Sequence, residues 1–223
     1  MVERSAYVLG VDLGQGQDHS ATALLEAIEQ RHEDVTCRVG RPDDERTGRR
    51  EVRLTTSPQL RCHHVHRFPL DLPYPDLVQY LVDLLARVRQ QGRVDVVIDN
   101  GGPGRVVGDM LVTRGIYPVR IAIVGTGDAH QTALDRLSVS QGELIHTTVK
   151  LSQQGILKLA PKLKGLAMIK DELQKFAVKV SLRGHETFGN FAPGSHDDLI
   201  FALSLACWYA SSPWGLGDAG VTF

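Results

Sequence analysis

Five aspartates stand where packing alone does not account for a carboxylate. Asp12 closes an apolar run in YVLGVDLGQGQDHSAT, with Asp18 six residues on; Asp99 closes VDVVID before a glycine-rich turn; Asp197 and Asp198 lie near the start of SHDDLIFALSLACWYASS. An unpaired carboxylate is among the costliest groups a core can hold, so a buried strand that delivers one to its end needs a partner for it. If two such strand ends and the first turn of a helix share a corner, the acids converge. Like charges a few ångströms apart then raise one another's pKa until a cation joins them. Oxygen-only ligands favour Mg²⁺ or Mn²⁺ over zinc. A carboxylate bridging two ions about 3.5–4 Å apart is the arrangement that hydrolyses phosphodiesters. Taken singly, each aspartate also reads as a turn former or helix cap.

The elements that must position these acids can be read in order. Tyr7–Val11 is a buried strand ending in Asp12, and Ala21–Gln30 fits a short helix by its Ala, Leu and Glu content or a strand by its brevity and flanking turns. Residues 31–60, charged and punctuated by Gly40, Pro42, Gly48 and Pro58, read as a solvated hairpin or mobile insertion with no core. In LRCHHVHRFPL, strict alternation puts Cys62, His64 and His66 on one face and His63 and Val65 on the other. A zinc site there needs a distant fourth ligand, and the plainer reading is a partly exposed edge strand. Pro73 and Pro75 open an amphipathic helix through Leu77, Leu81, Leu84, Leu85 and Val88 that stops at Gly92. A second buried strand ends in Asp99, a helix follows over 105–114, and IYPVRIAIVG is another strand. Gly125–Thr148 reads as loop. A further helix carries the stripe Leu166, Ile169, Leu173 and Phe176. In the last helix Ser195 is a plausible N-cap, and Ala202, Leu205 and Ala206 make a small face for lying on a sheet. Asp198 is four residues before Ala202 and shares that face, which favours it as a direct metal ligand, with Asp197 as cap or outlying group.

Composition narrows the class. The chain has 223 residues, 42% of them hydrophobic, and a formal charge of −1. That is enough to bury a core, and it predicts one domain spanning 1–223 with a charged insertion around 31–60. No run approaches the ~18 apolar residues of a membrane span, and the N-terminus lacks the order of a secretory signal. Cys37, Cys62 and Cys207 form no C-x-x-C pair, so a reducing cytoplasm fits best. Near-neutral charge argues against a protein that coats nucleic acid, but Lys150–Arg183 holds eight Lys or Arg against Asp171 and Glu172. Lys150, Lys158, Lys162 and Lys164 are its candidate phosphate contacts; a solvated helix face is the plainer reading.

Taken together, VLGVDLGQGQDHSA, VDVVIDNGGPGRVVGDML and GSHDDLIFALSLACW, with RFPLDLPYPDLV and KDELQKF between them, resemble the nuclease domain of the large terminase subunit of tailed bacteriophages. The resemblance runs from about Tyr7 to Trp208, and HDDL is its most specific element. It implies a ribonuclease H-like α/β fold: a mixed sheet of five or more strands, three antiparallel and then parallel, flanked by helices. That topology favours a strand at residues 21–30. It implies a metal-dependent endonuclease for double-stranded DNA acting in genome packaging, with two Mg²⁺ or Mn²⁺ ions held by Asp12, Asp99 and the Asp197–Asp198 pair. Asp18 and His196 are expected beside the ligands. An ATPase motor, a portal and a small terminase subunit are the implied partners, in the cytoplasm of an infected or prophage-carrying bacterial cell. The chain departs from the family in having no G-x-x-x-x-G-K-[ST] phosphate loop, so the motor is expected on another chain or domain. Between Thr148 and Ile156 it also reads as short of about one helix. A sugar-kinase or actin-like ATPase, a Holliday-junction resolvase and a non-catalytic DNA- or portal-docking module are the rival readings.

Overall fold

The computed structural model describes residues 6–37, 50–125, 127–133, 135–180, 186–191 and 196–216. Strand β1 (Ala6–Asp12) is buried up to the half-buried Asp12. It lies between β2 (Ala21–Cys37), with which it runs antiparallel, and β4 (Arg93–Asp99), with which it runs parallel. The stretch with mixed helix and strand preferences at 21–30 is therefore strand: pairing with β1 on one side and with β3 (Arg50–Arg67) on the other overrides its local helix propensity.

Beyond these strands come α1 (Tyr74–Val88), α2 (Gly104–Thr113), β5 (Val119–Val124), β6 (His130–Ala133), β7 (Arg136–Ser140) and α3 (Gln141–Gln153). Then follow β8 (Leu157–Leu159), α4 (Leu166–Lys175), β9 (Ala177–Val180), β10 (Glu186–Gly189) and α5 (Asp198–Ser211). The main sheet has eight strands in the order β6-β7-β5-β4-β1-β2-β3-β8, and β9 and β10 form a separate pair. The sheet is mixed, antiparallel from β1 to β3 and parallel through β4, β5 and β7, as the family resemblance implies.

Alternation along the central strands sorts the core into two layers. Val8, Ala23, Leu25, Val65 and Val97 pack under α5, whereas Tyr7, Leu9, Val11, Leu24, Val96 and Ile98 pack under α1 and α2. By the same period of two, Asp12 follows Val8 and Gly10 onto the α5 side, and Asp99 follows Val97 there. Helix α5 lies directly on β1 at the small face seen in the sequence. A Cβ at Gly10 would stand 2.1 Å from the Ala202 carbonyl oxygen and 3.1 Å from the Ala206 Cβ. The opposite side of α5 is covered by α3, where Trp208 Nε1–H donates to Glu143 at 2.8 Å, so this helix is buried nearly all round.

Several sequence readings need correction. Gly125–Thr148 is not a loop: it forms β6, β7 and most of α3. The start of α3 has a capping box, Ser140-x-x-Glu143, whose serine Oγ accepts the Glu143 N–H at 3.2 Å, with Leu144, Ile145, Thr148 and Leu151 buried behind it. From Thr148 to Gln153 the chain is the end of α3, which begins earlier at Gln141. In β3 the register slips opposite Leu24 and Leu25, where Leu24 pairs with His64 and Leu25 with Cys62, leaving His63 as the extra residue of a bulge. The bulge breaks the alternation. Cys62 joins Val65 under α5, while His64 and His66 stack near Tyr80 and Phe68 on the other face, so no joint Cys–His zinc face exists there. Nor is β3 an edge strand, because β8 pairs with Leu60–Cys62. The hairpin expected within 31–60 continues β2 and β3, which pair out to Cys37 and Arg50; its tip lies outside the described residues, and Leu60 belongs to the core. In α4 the inward position falls to Glu172, 2% exposed, while Leu173 is 47% exposed. Asp197, not Ser195, holds the N-cap position of α5, and Ser195 lies outside the described residues.

The close seat of α5 on β1 predicts that Gly10→Ala costs about 1–3 kcal/mol, because the helix backbone must move to admit one methyl group. Thermal unfolding should show a fall of several degrees in Tm. Gly125→Ala, with open space at its Cβ, should leave Tm unchanged.

Candidate active site

The parallel register pairs Val11 with Ile98, so the next residue on each strand, Asp12 and Asp99, ends its strand at the same edge. Asp12 pairs with Ala21 on the other side, and Ala21 with Arg67 at the end of β3. One row across four strands thus carries Asp99, Asp12 and Arg67. The Asp99 Oδ1 accepts the Gly101 N–H at 3.0 Å. A Cβ at Gly104 would fall 1.7 Å from the Asp99 carbonyl oxygen, so the glycine-rich turn after β4 is what lets α2 begin against the strand end.

Helix α5 brings its first turn to this row. Asp198 is 6% exposed, and its Oδ2 lies 3.5 Å from Arg67 Nε and 3.8 Å from His196 Nδ1 without a hydrogen bond. Asp197 points elsewhere. Its Oδ2 accepts the Asn190 N–H at 3.0 Å, and a Cβ at Gly189 would stand 2.8 Å from that oxygen, so the end of β10 is pinned to this carboxylate.

The electrostatics follow from burial and crowding. The Asp12 carboxyl is held well above the usual carboxylate range, first by burial and then by the charges of Asp99, Asp198 and Asp197. Asp99 is also raised by burial, against the Gly101 hydrogen bond. Asp198 is raised by burial and by Asp197, with Arg67, His196 and His19 pulling the other way. Asp197 is raised by burial and by Asp18, offset in part by the Asn190 N–H. Asp12 therefore feels the charge of three other carboxylates, and Asp198 that of Asp197.

Around them stand residues that the sequence did not single out. His19 Nδ1–H donates to the Phe68 carbonyl at 2.7 Å, and its ring meets that of His196 edge-on at 4.7 Å between centroids. Glu172 reaches in from α4: Arg67 donates to its Oε1, and its Oε2 accepts the Ile200 N–H at 3.0 Å. Burial pushes the Glu172 carboxyl up to about 7, although Arg67 pulls it down. The signal for Glu172 was its helical spacing of three from Ile169. Arg67, at a strand end in a bulged strand, had no periodic signal.

The remaining candidates divide by position. Asp18 is exposed on the loop after β1. Strand β8 runs parallel to β3, and the turn after it lies beside Val65, so the exposed Lys162 and Lys164 sit at the acidic end of the sheet. Lys158 folds back over Gly155, and Lys150 lines a cavity with Ser211, Ser212 and Trp214. That cavity is at the far end of α5, about 20 Å of helix from Asp198.

The carboxylates at this corner offer oxygen donors, crowded and partly without hydrogen bonds, which fit hard divalent cations such as Mg²⁺ or Mn²⁺. Among the described residues, no group of three or more His, Cys, Asp or Glu side chains is arranged to hold an ion as it stands. Asp12, Asp99 and Asp198 supply the chemistry of a metal site without already closing around a point.

Solved structures share this architecture. The large terminase nuclease from thermophilic phage G20c matches with a TM-score of 0.55 and 18% identity, over 92% of this chain and 83% of that one. The nuclease domain of the Thermus phage P74-26 large terminase matches with a TM-score of 0.54 and 16% identity, over 92% and 81%. The human cytomegalovirus terminase nuclease domain matches with a TM-score of 0.50 and 9% identity, over 94% and 86%. The G20c nuclease has been crystallised with bound magnesium and with bound cobalt. No protein-family model matches this sequence, and no curated protein does. At these identities the likeness is one of fold: the chain has the ribonuclease H-like fold of terminase nuclease domains.

The raised carboxyls set a pH dependence for metal-free protein. An acid whose folded pKa lies above its unfolded value of ~4 costs nothing below that value, and its cost grows as pH rises from there to the folded pKa and is then constant. Asp12→Asn should therefore raise Tm at pH 8, with the gain shrinking toward zero as pH falls to about 4. Melting curves of both proteins across that range, in EDTA, are the check.

Proposed function

We propose that this chain is a metal-dependent endonuclease that cuts double-stranded DNA during phage genome packaging by two-metal phosphodiester hydrolysis. What supports the reading is that the strand ends carrying Asp12 and Asp99 lie side by side, that the charges of Asp99 and Asp198 raise the Asp12 carboxyl, and that the fold is that of terminase nuclease domains. Divalent ions held there supply charge neutralisation and Lewis-acid polarisation for phosphoryl transfer. The protein's own part is to hold these three carboxylates on one face, with one Asp198 oxygen left without a hydrogen bond. Asp197 braces the β10 end against the helix start, and His196, His19 and Asp18 border the site.

The phosphate backbone of DNA would meet Lys162 and Lys164 first, since these exposed cations stand at the acidic end, with Lys158 and Lys150 progressively farther away. We further propose that residues 1–223 act as one nuclease domain. It would work with an ATPase motor, a portal and a small terminase subunit, in the cytoplasm of an infected or prophage-carrying bacterial cell. No helix among the described residues is long and apolar enough to cross a membrane.

Nicking of supercoiled plasmid tests the reading. Cleavage is expected with Mn²⁺, more weakly with Mg²⁺, and not in EDTA. Asp12→Asn, Asp99→Asn and Asp198→Asn should each lose nearly all activity while staying folded, and Asp197→Asn should keep more. Because the carboxylates do not enclose an ion unaided, Mn²⁺ should raise Tm only at high concentration, and not at all in Asp12→Asn. Cleavage that survives EDTA would remove the metal from the mechanism.

Charge reversal of Lys162 and Lys164 should weaken DNA binding evenly across sequences and lower the salt slope by about one per lost phosphate contact. Reversal at Lys150 should change the slope less. Equal effects at both ends of α5 would mean that DNA does not approach from the acidic corner.

A further inference from the structure

We propose that Arg67 and Glu172 are positioning residues, a strut between the end of β3 and α4 that fixes the first turn of α5 and with it the Asp198 carboxylate. Its catalytic consequence rests on the nuclease reading above; its structural consequence does not.

The geometry is a chain of three contacts. Arg67 donates to Glu172 Oε1, Glu172 Oε2 accepts the Ile200 N–H at 3.0 Å, and Arg67 Nε stands 3.5 Å from Asp198 Oδ2. The first N–H groups of any helix lack partners within it. In α5 the residue at the N-cap, Asp197, makes no side-chain capping bond, and its Oδ2 accepts the Asn190 N–H instead. A carboxylate from another helix does the capping instead, and the guanidinium paired with it also faces Asp198. The strut thus ties the height of the helix start to the sheet row that holds Asp12 and Asp99.

Stability alone does not explain this arrangement. Burying an ion pair costs desolvation that its attraction often fails to offset, and apolar residues of similar volume are frequently as stable or more so. Glu172 is 2% exposed, while the leucine beside it, Leu173, is 47% exposed. A helix selected for burial alone would turn the leucine inward. Arg67 also offers two nitrogen positions to two carboxylates, whereas a lysine offers a point charge and no fork.

The test uses the full chain and two variants. Arg67→Met with Glu172→Leu keeps the volume and removes both charges, and Glu172→Gln keeps an acceptor for the Ile200 N–H. For the double variant, the expected result is a Tm at or above that of the parent and exchange of the Leu199–Ile200 amides faster by about tenfold or more. Its kcat for Mn²⁺-dependent nicking should fall about tenfold or more, with KM for DNA within about twofold, because the misplaced ligand acts on the chemical step rather than on DNA binding. Glu172→Gln should recover part of both the exchange protection and kcat, and it decides the matter if the double variant does not fold. Unchanged amide exchange, or kcat within about twofold of the parent, overturns the strut. If the parent itself cuts no DNA while the first turn of α5 still loosens in the variants, the nuclease reading fails and the strut stands.

Discussion

Repulsion among buried carboxylates is the constraint on which the site depends. Asp12, Asp99 and Asp198 come from β1, β4 and α5, and each is pushed toward protonation by burial, Asp12 and Asp198 also by neighbouring carboxylates. Such a corner is unfavourable without compensation, and the surrounding groups supply only some of it. Gly101 donates to Asp99, Arg67 stands beside Asp198, and Asn190 donates to Asp197. What is left over, an Asp198 oxygen without a hydrogen bond and a half-buried Asp12, is the affinity that a divalent cation can use.

The remainder of the fold can be understood as the means of keeping those strand ends in register. The parallel pairing of β1 with β4 places Asp12 beside Asp99, and the antiparallel pairing through β2 brings Arg67 into the same row. Gly10 lets α5 approach β1 backbone to backbone, which lowers Asp198 toward that row. Because the helix is clasped between the sheet and α3, its first turn has little freedom to retreat from the charges it faces.

Charge is also distributed along the length of α5. Its N-terminal end faces the acids, Arg67 and the exposed Lys162 and Lys164, whereas Lys150 and the cavity with Trp214 belong to its other end. The acidic corner thus has a local positive border although the chain as a whole is near neutral. Counting lysines along Lys150–Arg183 could not separate these groups, because the segment passes from one end of the molecule to the other through β8.

The acids themselves were legible in the sequence because their signal is local: an apolar run broken by Asp at its end, twice, and an Asp pair opening an apolar helix. Alternation within each strand then fixes which face Asp12 and Asp99 share, and helical spacing puts Asp198 on the face of Ala202. Tertiary structure decided what depends on pairing between distant segments. The bulge at His63 turns Cys62 away from His64 and His66, and it exists only through the partner strand. The strand at Ala21–Cys37 is held by β1 and β3 against its own helix preference. The helix at Gln141–Gln153 had a local signal in Ser140 and Glu143, obscured by the polar residues around it. Glu172 and Arg67, 105 positions apart, acquire their meaning only when α4, β3 and α5 meet: spacing from Ile169 gives the face of Glu172 but not its partner, and Arg67 carries no periodic signal.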